Sequence, residues 1–498
     1  MRDGVFAQWF WRAACVVAGV SAVVGLGGVS NTVRAAEQPN VLMICVDDLK
    51  PLLGCYGDPH AKTPNIDRLA ARGTLFRSAY CNQAVCAPSR NALMTGLRPQ
   101  TLGVYDLETY FRLARPNAVT MGQHFQAHGY QTASLGKIYH TAHSNSDDAA
   151  TWSVPSYRPR VSQYAIEDNG PRPGPKPKRP QDRPRGRPTE SADVEDEAYA
   201  DGQIAAEAVR RLTAAAESGE PFFLAVGFLK PHLPFVAPQR YWDLHDPEQL
   251  PMPELAAPPE GAPSYAPQFG GELRNYREMP KGQEPLGEPL TRHLIHGYYA
   301  ATSYIDAQVG RVLDAVDREG LADKTIVVLW GDHGWHLGDH GMWCKHTNYE
   351  QAARIPLLVA TPQGRAAETD ALVETVDLYP TLAELAGLPA PQGLDGRSFA
   401  QVLKQPDAVH RDHVIHVYPR GGRLGRAIRT PTLRLVAWQE WGRPAAEPEV
   451  ELYDYVADPL ESRNLAAERP EEVERLTQIL ATHPEPLPPF VSDNGARP

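Results

Sequence analysis

Residues 41–46 read Val-Leu-Met-Ile-Cys-Val, six apolar side chains in a row that stop at Asp47-Asp48. A strand with one wet face alternates apolar and polar residues, so an unbroken run of this length belongs to a strand buried on both faces. Residues 222–228, 325–330 and 355–360 repeat the pattern, with a shorter run over 132–135. Between them lie stretches of helical spacing: residues 120–128, an Ala-rich amphipathic segment over 197–218, a long one over 294–319 and another over 376–386. Alternation of buried strands with helices predicts a large α/β domain with a parallel sheet covered on both faces. The pattern changes near His413. Short alternating strands around residues 426–430 and 451–454 and a closing helix over 471–482 predict a small antiparallel sheet packed with a helix. The expected organisation is a main domain over residues 37–405 and a C-terminal subdomain over 406–498.

Open α/β sheets gather ligands at the carboxyl ends of their strands. Asp47-Asp48 end one strand and Asp332-His333 another, and carboxylates crowded at one site repel unless a cation neutralises them. Three carboxylates suit a hard divalent ion such as Ca²⁺ or Mg²⁺, with His333 the weakest ligand of the set; a His/Asp-rich transition-metal site is the runner-up. Lys137 and His140 follow the strand over 132–135, and His232 follows the next one, locked among Pro231 and Pro234. A lone Lys or His more often decorates a surface or a core. Their shared place just past strand ends makes these three site candidates.

Residues 81–96 read Cys-Asn-Gln-Ala-Val-Cys-Ala-Pro-Ser-Arg-Asn-Ala-Leu-Met-Thr-Gly. Pro88 fixes φ two residues after Cys86 and so places the cysteine on a turn, while Ser89 is a good N-cap for a short helix that Gly96 can end. Cys86 then sits at the mouth of that helix, where free N–H groups favour negative charge. On its own, a Cys-x-Pro is usually no more than a thiol in a loop.

The formal net charge of −11, with no basic helix and no zinc-finger spacing, argues against nucleic acid as a partner. An anionic substrate must then be gripped by a local cluster of Lys, Arg and His. At the N-terminus, Arg2 and Arg12 precede an apolar run over residues 13–29, and Val33-Arg34-Ala35-Ala36 follows. That is the pattern of a secretory signal peptide over residues 1–36, and it predicts a secreted or periplasmic protein. The run is Gly-rich and short for a span, and no later segment is apolar enough to cross a bilayer, so no stable membrane insertion is expected. Cys15 leaves with the leader, while Cys45, Cys55, Cys81, Cys86 and Cys344 remain. An odd number in an exported chain asks for a special thiol, and pairing among the other four stays open. Residues 153–190 form an insertion in which 171–188 carry seven Arg or Lys against Asp182 alone, with many prolines, as expected of an extended loop. Residues 247–289 are a second Pro-rich, irregular stretch.

With Thr95-Gly96 behind it, Cys86-Ala87-Pro88-Ser89-Arg90 resembles the signature of the type I sulfatases. The likeness extends to Asp47-Asp48, Gly136-Lys137, Lys230-Pro231-His232, Asp332-His333-Gly334 and Glu451-Leu452-Tyr453-Asp454. Within that family the chain is most similar to the iduronate-2-sulfatase branch, in Tyr105-Asp106-Leu107, Lys137-Ile138-Tyr139-His140 and Asp332-His333-Gly334-Trp335. Gly103 departs from it, standing where the branch leads one to expect an Arg.

The resemblance implies an alkaline-phosphatase-like α/β/α sandwich with a small C-terminal subdomain. It implies that Cys86 is oxidised to formylglycine by a formylglycine-generating enzyme. One hydroxyl of the hydrated aldehyde would attack sulfur, and the other would expel sulfate as the aldehyde re-forms. Asp47, Asp48, Asp332 and His333, with residue 86 itself, would hold one Ca²⁺ ion. Arg90 would orient the hydrated aldehyde, and Lys137 and Lys345 would neutralise the transferring group. His232 would protonate the leaving alcohol and His140 would serve as the base of the elimination. Trp335, His336 and Tyr105 would face the sugar of a sulfated carbohydrate, as in glycosaminoglycan degradation. Two alternatives remain: a phosphodiester or phosphonate monoester hydrolase of the same superfamily, and a noncatalytic sulfated-glycan-binding protein in which Cys86 stays a thiol.

Overall fold

The computed structural model describes residues 38–143, 145–172, 184–443 and 448–491. The leader expected over residues 1–36 and the middle of the Pro- and Arg-rich insertion lie outside the described residues. The main sheet has the strands β1 (Asn40–Asp47), β2 (Thr74–Tyr80), β3 (Gln131–Gly136), β4 (Phe222–Pro231), β5 (Thr325–Gly331), β6 (Arg354–Ala360) and β7 (Ala367–Thr369). Their order is β7-β2-β6-β5-β1-β4-β3, and Val373–Glu374 also pairs with β2. β1 is central and parallel to both neighbours, Ile44 lying opposite Val226 of β4 and Leu329 of β5. β6 runs antiparallel to β2 and β5, a direction that hydrophobic periodicity does not encode.

The unbroken apolar character of β1 has its reason in the two layers around it. Leu42, Ile44 and Val46 join one core with Ile204, Ala208 and Leu212 of α2 (Ala200–Ser218) and with Tyr304, Val309 and Val312 of α3 (Glu288–Arg318). Val41, Met43 and Cys45 join another with Leu93 and Met94 of α1 (Cys86–Thr95) and Leu378 and Leu382 of α4 (Leu378–Leu385). Alternate residues of one strand feed opposite cores, as a strand's period of two requires. The product is a three-layer α/β/α sandwich.

α3 begins at Glu288, ahead of the expected 294, because Pro289 is well placed in a first turn. In the helix Pro64–Ala70, which follows Thr63, the Asn65 and Ile66 N–H groups donate to the Asp306 carboxylate of α3, at 3.1 and 2.7 Å.

The C-terminal strands β8 (Val414–Arg420), β9 (Arg423–Arg429), β10 (Leu433–Glu440) and β11 (Glu449–Asp454) form the expected antiparallel sheet in sequence order. The helix α5 (Pro470–Ala481) lays Leu476 and Leu480 on Ile415, Ile428, Leu435 and Leu452. This sheet belongs to the same compact unit as the main one, Gln38–Pro498. Cys45, Cys55, Cys81, Cys86 and Cys344 are all free thiols. No helix among the described residues is long and apolar enough to cross a membrane.

Candidate active site

Three elements end at one point: β1 at Asp47, β5 just before Asp332, and the N-terminus of α1 at Cys86. Asp48 turns away from the strand with φ 61°, and Tyr298 of α3 fixes that turn by donating its hydroxyl to the Asp48 carbonyl at 2.8 Å. The backbone N–H of Asp48 donates to Asp332 Oδ1 at 2.9 Å, which ties the two strand ends together. Asp47, Asp48, Asp332 and His333 are all buried.

α1 begins at Cys86 itself, with Val85 as its N-cap, so Ser89 is not the cap that the sequence suggested. Pro88 is tolerated in the first turn, whose N–H groups have no helical partners, and Ser89 instead donates its hydroxyl to the Asp332 carbonyl at 2.5 Å. One turn in, Arg90 is wholly buried and spans the site from beneath. Its Nε donates to Asp332 Oδ2 and its Nη2 to Asp47 Oδ1, both at 2.9 Å, and its Nη1 reaches the Lys137 and Ile138 carbonyls. Arg90 therefore braces two of the carboxylates, Asp47 and Asp332.

Cys86 Sγ lies 3.4 Å from His333 Nε2 and 3.9 Å from Asp48 Oδ1. Burial, reinforced by Asp47, pushes its thiol well above the ordinary value, so as cysteine it is a protonated and poor nucleophile. Lys137 Nζ pairs with Asp47 Oδ2, and Lys345 Nζ donates to both oxygens of Asp48 at 3.0 Å. Burial opposes a charge on Asp47, but Lys137 and Arg90 outweigh it and hold its carboxyl well below the usual range. Burial pushes Asp48 well above that range against the pull of Lys345, with Asp47 and Asp332 adding to the push.

A divalent cation fits this donor set. His333 Nδ1 is 3.0 Å from the Gly334 carbonyl, which can only accept, so that nitrogen carries the proton and Nε2 presents a lone pair. Burial holds the ring neutral, with its pKa down at about 4. With Asp48 ionised, Nε2 faces Asp48 Oδ1 at 3.3 Å and Asp332 Oδ2 at 3.7 Å, acceptor against acceptor. A positive ion between them resolves that arrangement, and the ligand atoms of Asp48, Cys86, Asp332 and His333 lie within 4.8 Å of one another.

His232 joins from the turn after β4. Lys230 donates its ammonium to the His232 and Pro234 carbonyls and so braces that turn. His232 Nδ1 lies 2.6 Å from the Leu233 carbonyl, leaving Nε2 to face Glu272 Oε1 at 3.3 Å and Asp48 Oδ2 at 3.8 Å. Burial and Lys345 keep the ring well below its ordinary pKa. His140 sits beside Lys137, whose charge, after burial itself, holds it neutral with a pKa near 2; its Nε2 is 3.0 Å from His143 Nδ1.

The Sulfatase family model matches residues 39–388. The chain belongs to the sulfatase family. It is a type I sulfatase near the iduronate-2-sulfatase branch, and thus a sulfuric ester hydrolase. A second family model, described as N-sulphoglucosamine sulphohydrolase, C-terminal, matches residues 338–483. The iduronate 2-sulfatase of Mus musculus is 35% identical over 453 residues, which is 83% of this chain and 80% of that protein. The human iduronate 2-sulfatase is 36% identical over 407 residues, covering 74% and 73%. The phosphonate monoester hydrolase of Agrobacterium radiobacter superposes with a TM-score of 0.72 at 22% identity, over 90% of this chain and 96% of that one. The sandwich is therefore the alkaline-phosphatase-like fold of sulfatases and phosphonate hydrolases.

The expected sugar-facing wall needs correction. Trp335 is fully buried; it lies under the Lys345 ammonium, 5.0 Å from the ring centroid, and packs edge-on against Phe235. His336 is equally buried and bonds Thr347 Oγ1 at 2.9 Å. Tyr105 is 5% exposed, donates its hydroxyl to the Leu487 carbonyl at 2.7 Å and packs on Trp441. All three position their surroundings from within. Gly103 has a backbone reason of its own: its φ is +73°, and a Cβ there would lie 3.2 Å from the Pro488 carbonyl oxygen, so an Arg at this position would be strained and crowded. The sequence reading missed Glu272, whose Oε2 is 3.2 Å from Lys345 Nζ, and His143.

Proposed function

We propose that this sulfatase removes the sulfate ester from a sulfated carbohydrate, iduronate-2-sulfatase-like in its substrate, after export from the cytoplasm. Its working residue 86 is then formylglycine and its metal Ca²⁺. The observation that carries the reading is the convergence of a buried Cys86, three carboxylates and two ammonium groups at the carboxyl ends of β1 and β5, with Arg90 holding Asp47 and Asp332 in place. Formylglycine at this position supplies a nucleophilic oxygen that the neutral thiol lacks. Asp47, Asp48, Asp332 and His333 would hold the ion, which offers Lewis-acid stabilisation of the sulfate oxygens. Lys137 and Lys345 flank residue 86 with their ammonium groups and oppose the negative charge of the transferring group. His232 would give a proton to the leaving alcohol from Nε2 once that atom has taken one up, and His140 is the base candidate. The oxygen-rich ligand set favours calcium over zinc. Export rests on the pattern of residues 1–36.

Two experiments test this. On a panel of defined heparan, dermatan and algal sulfated oligosaccharides, an aryl sulfate and a phosphodiester, the highest kcat/KM is expected on a sulfated sugar. Faster cleavage of the phosphodiester would overturn the reading in favour of a phosphoryl-transfer enzyme. For the metal, Asp47→Asn is expected to lower calcium retention and kcat/KM by roughly 10–100-fold or more, the range seen when a metal site's supporting carboxylates are removed. Bound calcium by elemental analysis, together with the rate after chelation, checks it; a rate untouched by chelation would remove the ion from the reaction.

A further inference from the structure

The described part of the insertion brings one cation to the site. Arg185 lies in a segment whose backbone is pinned: the Arg187 N–H donates to the Asn169 carbonyl and the Arg277 N–H to the Gly186 carbonyl, both at 2.8 Å. Gly186 is required for that close approach, since a Cβ would fall 2.3 Å from the Asn169 oxygen. The Arg185 guanidinium stacks over the Tyr276 ring, 4.9 Å from its centroid, and its Nη1 is 3.5 Å from Glu272 Oε1. That same carboxylate touches Lys345 Nζ at 3.2 Å and His232 Nε2 at 3.3 Å. One carboxylate therefore separates Arg185 from both the ammonium and the imidazole assigned to the sulfate ester.

The neighbouring arginines are otherwise occupied. Arg158 and Arg187 pair at the surface with Asp147 and Glu278, at 3.3 and 3.2 Å. Arg420, from the end of β8, donates to the His346 carbonyl at 2.5 Å and lies over Tyr418, a brace for the backbone beside Lys345. Arg185 differs from these. Its one ion pair among the described residues is long for a hydrogen bond and goes to a carboxylate shared with Lys345 and His232, and its side chain remains 26% exposed. A guanidinium carries five donors in a planar fork suited to an oxyanion. Its contact with the Tyr276 ring restrains the guanidinium before any ligand arrives.

We infer that Arg185 is a specificity-determining residue that binds a second oxyanion, a carboxylate or another sulfate, on the sugar unit whose sulfate ester is cleaved. Glu272 holds the fork in place between turnovers and links it to Lys345. The inference rests on the sulfated-carbohydrate reading and names the residue that selects within that class.

The test compares wild type, Arg185→Ala and Arg185→Lys, each matured with a formylglycine-generating enzyme. Four substrates are used: a 2-sulfated uronate disaccharide, a doubly sulfated hexosamine, a singly sulfated neutral hexose and an aryl sulfate. Arg185→Ala is expected to lower kcat/KM on one or both doubly anionic sugars roughly 10-fold more than on the singly anionic pair, the size of one charge-assisted hydrogen bond. The loss should appear mainly in KM, because the contact is made equally in the ground and transition states. Arg185→Lys should recover only part of it, since an ammonium keeps the charge but not the fork. A loss confined to the uronate identifies a carboxylate as the ligand, and one confined to the hexosamine a sulfate. An unchanged ratio between doubly and singly anionic substrates in both variants overturns the assignment while leaving the sulfatase reading intact. A matured wild type inert on every sulfate ester overturns the functional reading and the Arg185 assignment with it.

Discussion

Cys86→Ala is expected to bring turnover of any sulfate ester down by a factor on the order of 10⁴–10⁶, the size of effect that follows removal of a nucleophile in hydrolases. Folding should survive the change. The side chain is 2% exposed at the first position of α1, where alanine is a good helix former, and only one sulfur atom is lost from the packing. Cys86→Ser separates two explanations for the loss. Serine keeps a hydroxyl at the same place but cannot become formylglycine by oxidation of a thiol, so it should be nearly as inactive as alanine. Tandem mass spectrometry supplies the second readout. The peptide containing residue 86 should lose mass relative to cysteine when the chain is co-produced with the maturing enzyme, and should keep its thiol when it is not. Full activity in a preparation whose Cys86 is an unmodified thiol would contradict the assignment, and so would an active alanine variant.

The parts of the site that could be read from sequence are those that strand geometry fixes. Asp47-Asp48 and Asp332-His333 end fully apolar runs, and such runs end where buried parallel strands end, so their convergence follows from the fold class. Cys86 was legible because proline and glycine punctuate the chain around a short helix, although Pro88 proved to lie inside the first turn rather than before it. Glu272 and Arg185 were not legible. Glu272 sits on the four-residue helix Gly271–Arg274 in a Pro-rich stretch without period, and Arg185 in an irregular segment of the insertion. Only tertiary packing brings the two together, and no local pattern announces it. Trp335 and His336 show a different limit: spacing placed them beside the site, but whether a side chain points into the cleft or under it depends on what packs behind, here Phe235 and Thr347.

The largest stability effect is expected at Glu350, where the C-terminal sheet meets the main one. Glu350 Oε2 lies 2.5 Å from Arg434 Nη2 of β10 and 3.2 Å from Arg429 Nε of β9, while Oε1 accepts from the Tyr80 hydroxyl of β2 at 2.9 Å. Arg434 is wholly buried, and its remaining donors go to the Asn348 carbonyl and, at 2.7 Å, to the Tyr455 hydroxyl. Removing the carboxylate leaves two buried guanidinium groups with Glu461, 3.6 Å from Arg434 Nε, as their remaining carboxylate among the described residues, so Glu350→Ala should cost about 3–5 kcal/mol, as breaking one side of a buried ion cluster does. Burial opposes the charge on Glu350, but Arg429 and Arg434 outweigh it and hold its pKa near 2. A carboxyl depressed in the fold stabilises it fully above its unfolded pKa, near 4.3, and the contribution is lost as pH falls toward 2. Glu461 runs the opposite way, since burial raises its pKa, so only the difference between wild type and Glu350→Ala isolates the Glu350 term. Denaturant unfolding at a series of pH values from 7 to 2.5 should therefore show a gap between the two proteins that is constant above about pH 5 and closes in acid. A gap that stays the same across that range would mean that packing around Tyr80 and Tyr455, rather than the carboxylate's charge, secures the C-terminal sheet.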